Sequence, residues 1–435
     1  MLGAKRLGLV AVAAWAVWVA WAVSGAAAIA AVPAPPKNVV LLIGDGMGAE
    51  HVRLAALYAR GEGGGLAFEK LPYRADMTTD PIGRTRVVLG RTKKPITDSA
   101  AAGTAMATGR KAANGVVSLA LPGDGRPLRT VLEVFRDRGA RTGLVTTDGI
   151  CGATPACFGA HTRSRADASG IARGYLTETR PNVLMGGASS RNPALAPAVV
   201  RLTGYTVVAN RAEMAALKPG RDLYVWGQFG DGPMPYEYEH AEGLIKEANE
   251  EARLAAEELK AQGLLPRTPY APRPDYDALP HLSEMTAKAL ELLAGPKGLF
   301  LMVESARIDH ACHRHLPDQC VHETLEFEKA FTVVMEWARG RTDTLVIVTA
   351  DHETGGLRII RGWGKSGLAM IAWTTWGHTG VPVPAWSWGV GAERLTGTID
   401  NTDLFAVMTG LEKPAPPPAE EVRLLVPAGA ADPND

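Results

Sequence analysis

The sequence predicts an α/β protein with a large, mostly parallel central sheet and helices on both faces. Three observations carry that expectation. Solid apolar runs, Asn38–Ile43, Leu299–Val303 and Thr344–Ala350, read as strands buried on both faces. Segments of helical periodicity alternate with such runs, the pattern of a doubly wound sheet. Each of the three runs also leads into an acid: Asp45, Glu304, and Asp351 followed by His352. The carboxyl edge of an open α/β sheet is where ligands collect, so these acids are expected to converge.

The elements follow in order. Lys5 and Arg6, the apolar run Leu7–Val23 and the small residues Ser24–Ala31 read as an export signal over residues 1–31, cleaved or kept as an anchor. Either outcome puts the rest of the chain outside the cytoplasm, in the periplasm or secreted. Residues 32–412 are expected to form one domain. Further strands are expected at Thr142–Thr147, Asn182–Met185, Tyr205–Ala209 and Ala369–Thr375, and helices at Pro127–Arg138, Leu282–Leu293 and Glu323–Arg339. Residues 243–280, charged and Ala-rich and then Pro-rich, read as a helical insertion, and the Pro-rich stretch 413–435 as a loose tail. Only 25 residues separate His352 from His378, so the segment 357–377 between them is short. Trp363, Trp373, Trp376, Trp386 and Trp388 surround it, as packing or as an aromatic wall for substrate.

Composition narrows the partners. With 46 Lys and Arg against 46 Asp and Glu, nothing points to a nucleic-acid surface, and no stable membrane partner is expected unless the N-terminal segment is retained. Four cysteines in two close pairs, Cys151/Cys157 and Cys312/Cys320, suggest local disulfides in an oxidising compartment.

Chemistry concentrates in two places. Thr97–Gly109 is an Ala-rich helix candidate with Asp98 and Ser99 at its start and Gly109 as C-cap. A serine in the first turn lies where backbone N–H groups and the helix dipole favour an anion such as phosphate. Asp309 and His313, four apart, share one helix face; Asp351, His352 and His378 add further donors. Mixed Asp/His sets suit Zn²⁺ with an open position. His315 and His322 are read as ordinary surface or core histidines.

Six segments in order, Asp45 within GDGMG, Thr97–Ala105, GATPACFGAHTRSR at Gly152–Arg165, VESARIDHACH, TADHETGG and HTG, resemble the alkaline phosphatases. The resemblance runs from about Lys37 to Gly410. It implies a phosphomonoesterase with Ser99 as nucleophile, two Zn²⁺ and one Mg²⁺, a homodimer, and a short cap formed by residues 357–377. Carried over, Asp309, His313 and His378 take one zinc; Asp45, Asp351 and His352 take the other. Asp45, Thr154 and Glu304 take the magnesium, and Arg165 holds the substrate phosphate. One departure stands out: where many bacterial members have Asp and many animal members His, this chain has Gly152, and His310 stands where bacterial members often have Lys. The expectation is weaker magnesium binding, or partial zinc or cobalt at the third site. A phosphodiesterase or sulfatase on the same scaffold, and a non-catalytic phosphate- or metal-binding protein, are the competing readings.

Overall fold

In the computed structural model, the described residues are 34–83, 86–88, 91–188, 195–220, 224–241, 278–361 and 369–416, with scattered positions between 250 and 261. The export segment 1–31, nearly all of the insertion 243–280, Trp363 and residues 417–435 of the tail lie outside them.

Ten strands form the main sheet: β1 (Asn38–Gly44), β2 (Tyr73–Thr78), β3 (Arg141–Gly149), β4 (Val183–Gly187), β5 (Thr206–Val208), β6 (Val225–Phe229), β7 (Leu299–Ser305), β8 (Thr344–Thr349), β9 (Val383–Gly389) and β10 (Gly397–Asp400). Their order across the sheet is β10-β2-β9-β8-β1-β7-β3-β4-β6-β5. All neighbours are parallel except β9, which runs antiparallel to both β8 and β2. β1 is central, and every residue in it is buried, which explains why its sequence shows no alternation.

Register makes the acids converge. Ile43 of β1 pairs with Glu304 of β7 on one side and Thr349 of β8 on the other. Asp45 and Asp351, each two residues beyond that level, therefore leave the sheet at the same edge as Glu304. Thr146 of β3 also pairs with Glu304, bringing the end of a fourth strand to this edge.

The helices differ from expectation mainly at their starts. Ser99–Thr108 forms α1, with Asp98 as N-cap and Gly109 closing it at φ 72°. Every residue of α1 is buried, so it needs no amphipathic stripe. The helix expected at Pro127–Arg138 begins only at Val131 (α2, Val131–Asp137). Thr130 caps it and Glu133 reaches back to the Thr130 N–H, a capping box that fixes the later start. A short helix, α3 (Ala153–Gly159), follows β3, and α4 (Leu282–Leu293) matches expectation. After α5 (Arg307–Cys312), the helix expected at Glu323–Arg339 starts earlier, as α6 (Pro317–Ala338), with Pro317 in the first turn where its missing N–H costs nothing.

Two expectations fail. Ala369–Thr375 does not join the central sheet; only Met370–Ala372 is extended, paired with Arg358–Arg361 in a separate ribbon that is largely open to solvent. The two disulfides do not form: all four cysteines are thiols. Cys151 and Cys157 turn apart, their sulfurs directed at the carbonyls of Ala168 and Ala100 respectively. The Cys312 and Cys320 sulfurs face each other at 3.5 Å, well beyond the roughly 2.05 Å of an S–S bond. Among the described residues, no helix is long and apolar enough to cross a membrane.

Candidate metal centre at the carboxyl edge of the sheet

Ser99 occupies the first position of α1, 5% exposed, with the helix N-terminus behind it. Asp98 holds the turn in place. Its carboxylate accepts from the Ala101 and Gly115 N–H groups, both at 2.9 Å, and from the Arg165 guanidinium at 3.2 Å. Arg165 thus stands beside the helix head, tethered by an acid and partly open to solvent.

Three histidines face inward, and their hydrogen bonds assign their tautomers. His378 Nδ1 lies 2.9 Å from the Thr97 carbonyl and His313 Nδ1 2.5 Å from the Trp376 carbonyl. A carbonyl only accepts, so each Nδ1 carries the proton and each Nε2 is left with a lone pair. Those two Nε2 atoms sit 3.0 Å apart, with the Asp309 carboxylate 3.4 and 3.7 Å away. Two lone pairs and a carboxylate aimed at one point repel each other unless a cation sits between them.

The second cluster repeats this logic. Thr354 donates to Asp309 and so accepts from His352 Nδ1 at 3.3 Å, leaving His352 Nε2 with a lone pair. That nitrogen faces Asp351 Oδ2 at 3.1 Å, Asp45 Oδ1 at 3.5 Å and the Ser99 hydroxyl at 3.3 Å. Both carboxylate oxygens are buried without a hydrogen-bond partner. The other Asp351 oxygen is fixed by the Gly46 and His352 N–H groups at 3.1 and 2.9 Å. Donor atoms of Asp45, Asp351 and His352, and of Asp309, His352 and His378, lie within 4.8 Å of one another in each set.

Electrostatics agree. Burial, and then the charge of Asp351, holds the Asp45 carboxyl well above the usual range. Burial pushes Asp351 up to about 6, helped by Asp309. Glu304 is pushed up to about 8 by burial and then by Asp148, against a hydrogen bond from Thr146. Burial, then the neighbouring His378, drives His352 well below its ordinary value. Burial thus disfavours a protonated His352 and bare Asp45, Asp351 and Glu304 carboxylates, and with the inward-facing Nε2 atoms of His313 and His378 the residues fit divalent cations.

The fold gathers all ten residues singled out in the sequence: Ser99, Arg165, Asp45, Thr154, Glu304, Asp309, His313, Asp351, His352 and His378. Thr154, in the first turn of α3, has a buried hydroxyl with no hydrogen-bond partner. Sequence reasoning missed Thr354, which links Asp309 to His352, and Asp148. The signal for Asp148 was present, because the apolar run Thr142–Thr147 ends in an acid just as the other three do.

A buried serine at a helix head, set among cation-seeking Asp and His side chains on the carboxyl edge of a parallel sheet, defines a metal-dependent hydrolase. The family model for alkaline phosphatase matches residues 36–191 and 193–368, and the chain belongs to the alkaline phosphatase family and is a phosphomonoesterase. It is 35% identical to the streptomycin-6-phosphate phosphatase of Streptomyces griseus, over 86% of this chain and 90% of that protein. It is 30% identical to the alkaline phosphatase of Escherichia coli, over 86% and 85%. Among solved structures it resembles a cold-active alkaline phosphatase from Shewanella sp., with a TM-score of 0.68 and 25% identity over 86% of this chain and 99% of that one.

Proposed function

We propose that the protein is an exported phosphomonoesterase that works through a phosphoserine at Ser99. The observation that carries this reading is the Ser99 hydroxyl lying 3.3 Å from the inward-facing His352 Nε2 at the head of α1. The mixed nitrogen and oxygen sets suit zinc, with Asp309, His313 and His378 on one ion and Asp45, Asp351 and His352 on the other. The all-oxygen set of Asp45, Thr154 and Glu304 suits magnesium. When bound, these cations would lower the pKa of the Ser99 hydroxyl, neutralise phosphate charge and stabilise a departing oxygen.

The remaining work falls to the chain. Arg165, held by Asp98, offers parallel N–H groups to two phosphate oxygens. First-turn N–H groups of α1 add positive potential where the phosphoryl group sits. The Ser99 oxygen bonds to phosphorus as the ester oxygen leaves as an alcohol; water then cleaves the phosphoserine, releasing phosphate and restoring Ser99. Arg165 and the helix head bind three equatorial oxygens, which favours monoesters over diesters.

Rates on a monoester, a diester and a sulfate ester test this, with streptomycin 6-phosphate among the monoesters because a relative is named for it. Ser99→Ala is expected to abolish turnover while leaving the metal content intact. Faster diester or sulfate turnover overturns the monoester reading, and full activity in Ser99→Ala overturns the phosphoserine.

A further inference from the structure

Gly152 immediately precedes α3 and has no side chain to offer the cluster around Glu304 and Thr154. Its space is nevertheless filled. A Cβ built on Gly152 would lie 2.4 Å from Asp148 Oδ2 and 3.0 Å from Asp148 Cγ. The carboxylate of Asp148 therefore stands where any side chain at position 152 would begin. The end of β3 holds it there. The Asp148 N–H donates to Thr146 Oγ1 at 2.9 Å, and that hydroxyl donates onward to Glu304. Of the neighbouring charges, Asp148 acts most strongly on Glu304. The buried Thr154 hydroxyl acts on the Glu304 carboxylate, and the Glu304 charge acts in turn on Asp45. His310 is no competing ligand through Nδ1, because that nitrogen accepts from the Arg307 guanidinium at 3.0 Å.

Resting on the reading of this site given above, we propose that Asp148 completes the third cation site with Asp45, Thr154 and Glu304, supplying from the end of β3 the acid that position 152 lacks. The site then has three carboxylates and a hydroxyl, and no nitrogen or sulfur donor. Hard oxygen sets of this kind select Mg²⁺ over zinc or cobalt. The absence of a side chain at 152 is then no reason for weak magnesium binding, because the acid arrives from a different strand.

The test is magnesium titration of zinc-loaded protein by calorimetry, with metal content counted by mass spectrometry. Wild type is expected to take two zinc equivalents and one magnesium. Asp148→Asn, close to isosteric, should keep both zincs and lose roughly 10- to 100-fold in magnesium affinity. The double variant Asp148→Gly with Gly152→Asp moves the acid to the helix side; φ −54° at Gly152 suits a side chain, and with Asp148 gone the Gly149 carbonyl oxygen at 3.0 Å, freed to shift by the new glycine at 148, is the remaining close neighbour. It should recover most of the lost affinity. Gly152→Asp alone, obstructed by Asp148, should gain none. Unchanged magnesium affinity in Asp148→Asn, or no recovery in a double variant whose melting shows it folded, overturns the proposal. Failure of wild type to bind two zincs instead strikes the underlying reading of the site.

Discussion

His313 and His378 present lone pairs to each other across 3.0 Å because two backbone carbonyls, of Trp376 and Thr97, claim their other nitrogens. This makes metal-free protein a strained acceptor cluster, and the strain depends on pH. Glu304, raised to about 8, binds a proton in the folded state that it would lose near 4.5 in the unfolded chain. The folded state therefore holds more protons across that window, so stability falls as pH rises through it and the loss is complete above about 8. His352, lowered, has the opposite sign, but above its ordinary value of 6.5 it is neutral in both states and drops out. Chelated protein is thus expected to melt at progressively lower temperature from pH 6.5 to 8, and more steeply than the metal-loaded protein, in which His161 and His281, both raised by a neighbouring glutamate, keep a slope of the same sign. Thermal melts of both forms across that range check this. The ligand residues were legible because Asp and His are scarce, chemically distinctive and repeated after apolar runs. Thr354 was not, since a threonine acting as a bridge between two ligands looks like any threonine.

At the level of elements, α1 carries Ser99, the proposed nucleophile, and depends on one side chain. Asp98 satisfies two backbone N–H groups and anchors Arg165. Asp98→Ala is expected to cost about 1–2 kcal/mol of stability through the lost cap. It should also raise KM for a monoester more than it lowers kcat, because an untethered Arg165 loses phosphate binding common to ground and transition states. Denaturant melts and steady-state kinetics read the two effects separately. α1 was readable because its cap, alanines and closing glycine all agree. β9 was not: Trp386 and Trp388 were grouped with the tryptophans around residues 357–377, and Pro384 argues against a strand inside a sheet, whereas β9 is an antiparallel insertion between β8 and β2. Asp148 was equally legible, directly after the apolar run Thr142–Thr147, but it lies outside the six segments that carry the family resemblance; in the structure β3 continues past it to Gly149.

For the molecule as a whole, the central strands and their shared edge followed from burial and register, while the approach to the site did not. Of the tryptophans, Trp386 is buried and packs on Phe68, as structural rings do. Trp376 differs, being 67% exposed and adjoining His313 through its carbonyl. His315 stacks on it at 3.7 Å and on Trp373 at 5.0 Å, with rings nearly parallel in both cases. His315, which sequence reasoning set aside, adopts φ 53°, a left-handed conformation uncommon outside glycine, to make this stack. Trp376→Ala is expected to reduce kcat/KM for aryl phosphates several-fold relative to alkyl phosphates, in keeping with about 0.5–1.5 kcal/mol for an aromatic pair. Measuring both substrate types on one preparation decides it, and an unchanged ratio removes Trp376 from leaving-group recognition.

The centre of the sheet joins residues near 40 to residues near 300 and 345, and the ligand set extends to His378. A polypeptide still being synthesised therefore has no working centre until His378 has cleared the ribosome. Until then the proposed ligand set is incomplete, however much of the sheet has formed.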